Sequence, residues 1–226
     1  MRRVLAVLGM ACFLASGPGA LEAAASQEQI YIKEPHEEGK VTLSFAGDIS
    51  FAEGYANMGY YHAKGDDITK CIEGDVISRM DGADVMMVNN EFTYSDRGKP
   101  LSGKTFTFRA KPETAANLQI LSADIVSLAN NHVYDYGETA LLDTLDTLEQ
   151  YKIPYVGAGR NREEAEKIVY FQVGDRKIAY VSATQVERSY VYTKEATDTG
   201  AGVLRTYDPA RFVEVIKKAK ETSDFV

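Results

Sequence analysis

Three short apolar runs in this 226-residue chain each end in side chains that could bind a cation or a polar ligand. Leu43-Ser44-Phe45-Ala46-Gly47 leads to Asp48. Asp84 to Val88 leads to Asn89-Asn90-Glu91, and Ile125 to Ala129 leads to Asn130-Asn131-His132. Carboxylates and amides supply hard oxygen donors, and an imidazole adds nitrogen, a set that suits Mn, Fe or Zn ions. A carboxylate lying between two ions can serve both. One such ending means little, because Asp and Asn are common turn formers. Three in succession point to one site.

The elements that would position them follow an alternating pattern. Val41–Ala46, Asp84–Val88, Ile125–Ala129 and Ile153–Val156 are strand candidates, apolar enough to be buried on both faces. Pro112 to Leu121 and Gly137 to Tyr151 have helical spacing, the second through Leu141, Leu145 and Leu148. Ile168–Val173 and Lys177–Ser182 flank Gly174-Asp175-Arg176 as a hairpin. Asp208-Pro209 opens a last helix, with Asp as the cap and Pro at the first helical position. An α/β class follows, with the polar endings in the crevice at the carboxyl ends of the strands. The rhythm of helix, Asp, apolar run at Asp84-Val85 and Asp124-Ile125 returns at Asp224-Phe225-Val226. This predicts a further strand and a domain that is incomplete over residues 41–226.

Composition excludes several classes. The net charge of −8 disfavours non-specific nucleic-acid binding, which needs clustered Lys and Arg. Residues 1–25 read as an export signal or N-terminal anchor: Arg2-Arg3, an apolar Val4–Ala15 stretch, then Ala23-Ala24-Ala25. The protein is therefore expected to be exported, secreted or tethered to the membrane through its N-terminus. Residues 26–40 read as a polar, flexible linker. Cys12 lies in the leader, which leaves Cys71 as a lone thiol, expected to be buried and inert.

Three strings resemble the ordered motifs of the poly-γ-glutamate capsule biosynthesis CapA family. They are Leu43–Asp48, Val88-Asn89-Asn90-Glu91 and Ser127-Leu128-Ala129-Asn130-Asn131-His132-Val133-Tyr134-Asp135-Tyr136-Gly137; Tyr155–Asn161 and Glu164-Ala165 also match. The resemblance spans Val41 to Val226. It implies a metallophosphatase-like layered β-sandwich flanked by helices. By the same resemblance Asp48 is a first metal ligand, Glu91 occupies the place of a bridging carboxylate, and Asn131 binds a second ion. His132 then faces a substrate phosphoryl or carbonyl oxygen as acid or hydrogen-bond donor. Asp135 either orients His132 or caps the next helix. The chain departs from the family at Asn90, where an apolar residue is usual. It also lacks the family's His-Trp-Gly-x-Glu and His-x-His motifs, having no Trp and only His36, His62 and His132.

Two functions compete on this reading. The first is a metal-dependent hydrolase or phosphoesterase acting on an anionic envelope polymer or its precursor. The second is a non-catalytic accessory or polymer-binding subunit, associated with other capsule synthesis subunits; an inactive fragment of either is the third outcome. Arg109 is expected in a surface salt bridge, and His36 and His62 on the surface without supporting neighbours. Tyr55, Tyr60 and Tyr61 are read as half-buried packing or a polymer-facing surface.

Overall fold

A computed structural model describes residues 5–6, 29–186 and 192–226. The leader assigned to residues 1–25, with Cys12, otherwise lies outside the described residues; Leu5–Ala6 pairs antiparallel along Tyr31-Ile32. Among the described residues the two main sheets contain, besides Leu5–Ala6, seven strands: β1 (Gln29–Lys33), β2 (Leu43–Ile49), β3 (Val85–Asn90), β4 (Ile125–Ser127), β5 (Tyr155–Val156), β6 (Val169–Val173) and β7 (Arg176–Tyr180). The main helices are α1 (Ala56–Ala63), α2 (Gly74–Asp81), α3 (Ala116–Ile120), α4 (Gly137–Gln150) and α5 (Ala210–Thr222).

The first sheet has the order β2-β3-β4-β5 and every pairing in it is parallel. All four carboxyl ends therefore lie along one edge. The second sheet places β1 parallel to β6, with β7 antiparallel beyond it. Side-chain alternation then builds the layers. Val85, Ile125 and Val156 face Tyr31, Phe171, Val173 and Ile178 of the other sheet. Met86, Val88, Val126 and Tyr155 point the other way, into the helical layer with Leu118, Leu141, Leu145 and Leu148. On the far face of the second sheet, Tyr170 and Ala179 pack on Ala219 of α5. The result is helix, sheet, sheet, helix, an α/β sandwich flanked by helices as expected.

One segment departs from the reading of residues 26–40 as a linker. Ile30-Tyr31-Ile32 is a strand whose Tyr31 ring stacks on Phe171 at 5.3 Å. Its apolar run is too short to stand out locally, and pairing with partners distant in sequence, Val169–Val173 chief among them, makes it a strand. Three Asp residues that precede apolar runs share one structural device. Asp84 accepts from Thr42 N at 2.6 Å, Asp124 from Met86 N at 2.8 Å, and Asp224 from Lys177 N at 2.7 Å. Each carboxylate pins its strand to the start of a neighbour. Phe225 forms a parallel bridge to Ile178, so the third Asp sets a strand-like pairing as the first two do. At the head of α5, Asp208 accepts from Ala210 N at 3.0 Å, as a capping residue does.

Other surface expectations need correction. His36 is bonded to Asp84 through its ring Nδ1 at 2.7 Å, and His62 lies between Asp66 at 2.5 Å and Glu53 at 3.1 Å. Both pairs join residues that are apart in sequence, or one helical turn apart, and no local pattern announced them. Among the described residues Arg109 forms no salt bridge, and its guanidinium lies 4.4 Å from the Tyr136 ring centroid. Cys71 is half-buried, with its thiol donating to Asp67 O. Tyr61 is buried, Tyr55 half-buried and Tyr60 exposed.

Candidate functional site

The parallel order of the first sheet brings the three polar endings together. In β2 the pairing with β3 shifts between Ala46 and Asp48, so Gly47 is an extra residue and Asp48 falls opposite Asn89. Asn89 is the hub. Its amide donates to Asp48 Oδ1 at 2.7 Å and to Glu91 Oε2, while its Oδ1 accepts from Asn130 Nδ2 at 3.0 Å. Asn130 also donates to Asn90 O at 2.9 Å. Its own Oδ1 caps the turn that follows, accepting from His132 N at 3.0 Å and Val133 N at 2.9 Å. One asparagine thus ties β3 to the loop that carries the imidazole.

His132 is held from three sides. Its Nδ1 lies 2.7 Å from Asp135 Oδ2, its ring packs on Phe108 with centroids 4.1 Å apart, and its Nε2 is 4.0 Å from Glu91 Oε1. Of the two expected roles for Asp135, its carboxylate makes the contact that orientation of His132 requires, and α4 begins without a side-chain cap. Asp135 is fully buried and also accepts from Phe108 N at 2.6 Å and Lys104 Nζ at 2.5 Å. Burial raises the Glu91 carboxyl above its ordinary range and the Asp48 charge adds to this, while His132 and Asn89 act in the opposite sense.

The five expected residues are therefore not equally engaged. Asp48, Glu91, His132 and Asp135 belong to one connected network. Asn131 joins it through its main-chain oxygen, which accepts from Lys104 Nζ. Among the described residues its side-chain amide has no hydrogen-bond partner and remains available. Asn90 fills the place where the family has an apolar residue. It is buried, donating to Phe92 O at 2.9 Å, but its Oδ1 has no partner among the described residues. Lys104 and Phe108 were not legible as site residues. A single Lys in a loop carries no spacing signal, and Phe108 gains its meaning from a histidine distant in sequence.

The donor types suit a hard divalent cation, but their number does not complete a cage. Among the described residues no three His, Cys, Asp or Glu side chains converge as a cation-binding group. Asp48 and Glu91 meet through one shared amide donor, Asn89 Nδ2.

A family profile for "Bacterial capsule synthesis protein PGA_cap" matches residues 42–226. The chain belongs to this family. Among similar proteins is the "PGA biosynthesis protein CapA" of Bacillus subtilis (strain 168). It is 29% identical over 187 residues, covering 82% of this chain and 47% of that protein. The "Capsule biosynthesis protein CapA" of Bacillus anthracis is 31% identical over 118 residues, 52% of this chain and 28% of the relative. A "Probable polyglutamine synthesis accessory protein" of Mycobacterium tuberculosis is 31% identical over 129 residues, 57% of this chain and 34% of the relative. The matches reach about half or less of the length of these relatives. The family match covers both sheets apart from β1, together with every residue of the polar network.

Proposed function

We propose that this chain is a capsule biosynthesis protein of the poly-γ-glutamate type that works outside the cytoplasmic membrane, exported or tethered by its N-terminal segment. The observation that carries the reading is the single network joining Asp48, Asn89, Glu91, Asn130, His132 and Asp135 at the carboxyl edge of the parallel sheet. Its ligand is an anionic envelope polymer or a precursor of it, with other capsule synthesis subunits as partners. In this reading His132 meets a phosphoryl or carbonyl oxygen of that ligand. With Nδ1 bonded to Asp135, Nε2 is the atom that donates to that oxygen when the ring is protonated, and accepts when it is neutral. Deleting the gene from its host and restoring it with wild-type, D48N or H132Q chains tests the reading. Cell-surface γ-linked polyglutamate is expected to fall on deletion and to return only with the wild type. Unchanged polymer after deletion would sink it.

A hydrolytic role and an accessory role differ in what the site must supply. Turnover of a phosphoester or polymer amide would distinguish the first role, and polymer binding without turnover the second. Asp48, Glu91 and Asn131 are proposed to bind Mn, Fe or Zn ions weakly. With so few converging donors weak binding is expected, with a dissociation constant of roughly 10⁻⁴–10⁻³ M by analogy with weak calcium sites built from oxygen ligands. Calorimetric titration of the purified protein with Mn²⁺ measures it. E91Q should abolish the binding signal, and nanomolar affinity would contradict the incomplete-site reading.

A further inference from the structure

We propose that Lys104 is a positioning residue of this site, setting both the carboxylate that orients His132 and the backbone that carries Asn131. The inference rests on the reading of His132 as the group that meets the ligand. Lys104 is 7% exposed at its side chain, and its ammonium reaches Asp135 Oδ1 at 2.5 Å and the main-chain oxygen of Asn131. A buried ammonium is costly unless its protons find acceptors. Here the acceptors belong to Asn131, just before His132, and Asp135, three residues after it.

The segment around Lys104 grips Asp135 at three points. Leu101 N donates to Asp135 O at 2.9 Å, Lys104 Nζ to Oδ1, and Phe108 N to Oδ2 at 2.6 Å. Only then does Oδ2 meet His132 Nδ1, while the Phe108 ring covers the imidazole face. An ordinary structural ion pair would need one contact, and it would not have to lie against the ring of a candidate acid. Dividing the two carboxylate oxygens in this way, one to the ammonium and one to the imidazole, leaves the carboxylate a single orientation. Outer partners of this kind fix which ring nitrogen carries the proton and where the other points. Asn131 is set by the same ammonium from the other side. Its carbonyl accepts from Lys104 Nζ, and its side-chain amide has no hydrogen-bond partner among the described residues.

The test reads the His132 ring directly. ¹⁵N-labelled protein gives imidazole shifts that report which nitrogen is protonated, and H132Q identifies the signal among three histidines. Wild type is expected to show one tautomer, with the proton on Nδ1. K104M should give a mixture, K104R should restore the single form, and surface polymer in K104M cells should fall ~10–100-fold, as for loss of an outer-shell partner. A folded K104M protein with the wild-type tautomer would overturn the proposal. Should K104M not fold, the wild type itself decides. A Lys104 ammonium signal protected from solvent exchange supports the role, and its absence, checked against K104R, overturns it. If K104M disturbs the tautomer while H132Q leaves polymer unchanged, the positioning stands and the function of His132 fails. If H132Q abolishes polymer while K104M alters neither readout, the reverse holds.

Discussion

Replacing Asp135 by Ala should cost about 3–5 kcal/mol of folding stability, the range for removing one member of a buried charge pair. The carboxylate is 0% exposed and receives Lys104 Nζ, Phe108 N and His132 Nδ1. Its loss leaves an ammonium at 7% exposure without its counter-charge, a main-chain N–H without its acceptor, and an imidazole free to turn. Against a typical total of about 5–15 kcal/mol, that is a large fraction of the stability. D135N separates charge from shape, because the amide still offers one acceptor oxygen of similar size. It should cost less than D135A, yet its one acceptor oxygen cannot replace both carboxylate oxygens, which receive Lys104 Nζ and Phe108 N separately. Urea denaturation followed by circular dichroism gives both values. A D135A loss below about 1 kcal/mol, the level of an exposed ion pair, would show that the network does not hold this loop.

Gly157→Ala should be the second severe change. Gly157 follows β5 with φ +87°, a region where a side chain is strained at about 1–2 kcal/mol. A Cβ there would stand 2.6 Å from Ala129 Cβ and 2.9 Å from both Cβ and O of Ser182. Overpacking of that kind adds about 1–3 kcal/mol. The neighbour that must yield, Ala129, directly precedes Asn130, so the strain reaches the hub that ties the imidazole loop to β3. Loss of stability in urea should therefore be accompanied by shifts of the His132 and Val133 amide resonances, whose N–H groups Asn130 caps. Gly47→Ala is the matched control, since its added Cβ meets nothing within 4 Å. Equal, small losses from the two substitutions would refute the steric account.

The parts of the molecule that were readable along the chain are those whose signal is local. Leu141, Leu145 and Leu148 sit one helical turn apart, and all three are fully buried on one face of α4. The alternation in Val85-Met86-Met87-Val88 is that of a strand with both faces covered, and it sorts its side chains between the two cores. The Asp residues before the apolar runs marked strand starts because a short carboxylate there accepts a neighbour's main-chain N–H. By contrast, Ile30-Tyr31-Ile32 is a strand because partners distant in sequence, Val169–Val173 chief among them, lie beside it. His36 and Asp84 are 48 residues apart, and nothing near either one predicts their contact.

The amino-acid sequence by itself determined the α/β order, the three polar strand ends and the identity of Asp48, Glu91, Asn131, His132 and Asp135 as candidates. These follow from periodicity, from turn chemistry and from motif resemblance, all carried by residues close together in the chain. Tertiary structure alone decided how those candidates are wired. Four parallel strands put their ends along one edge, a shifted pairing at Gly47 turned Asp48 towards Asn89, and a loop Lys reached 31 residues along the chain to Asp135. Hydrogen bonds and ion pairs act over about 3 Å whatever the separation in sequence. Which donor meets which acceptor is therefore fixed only when the packed sheets and helices bring them within that distance.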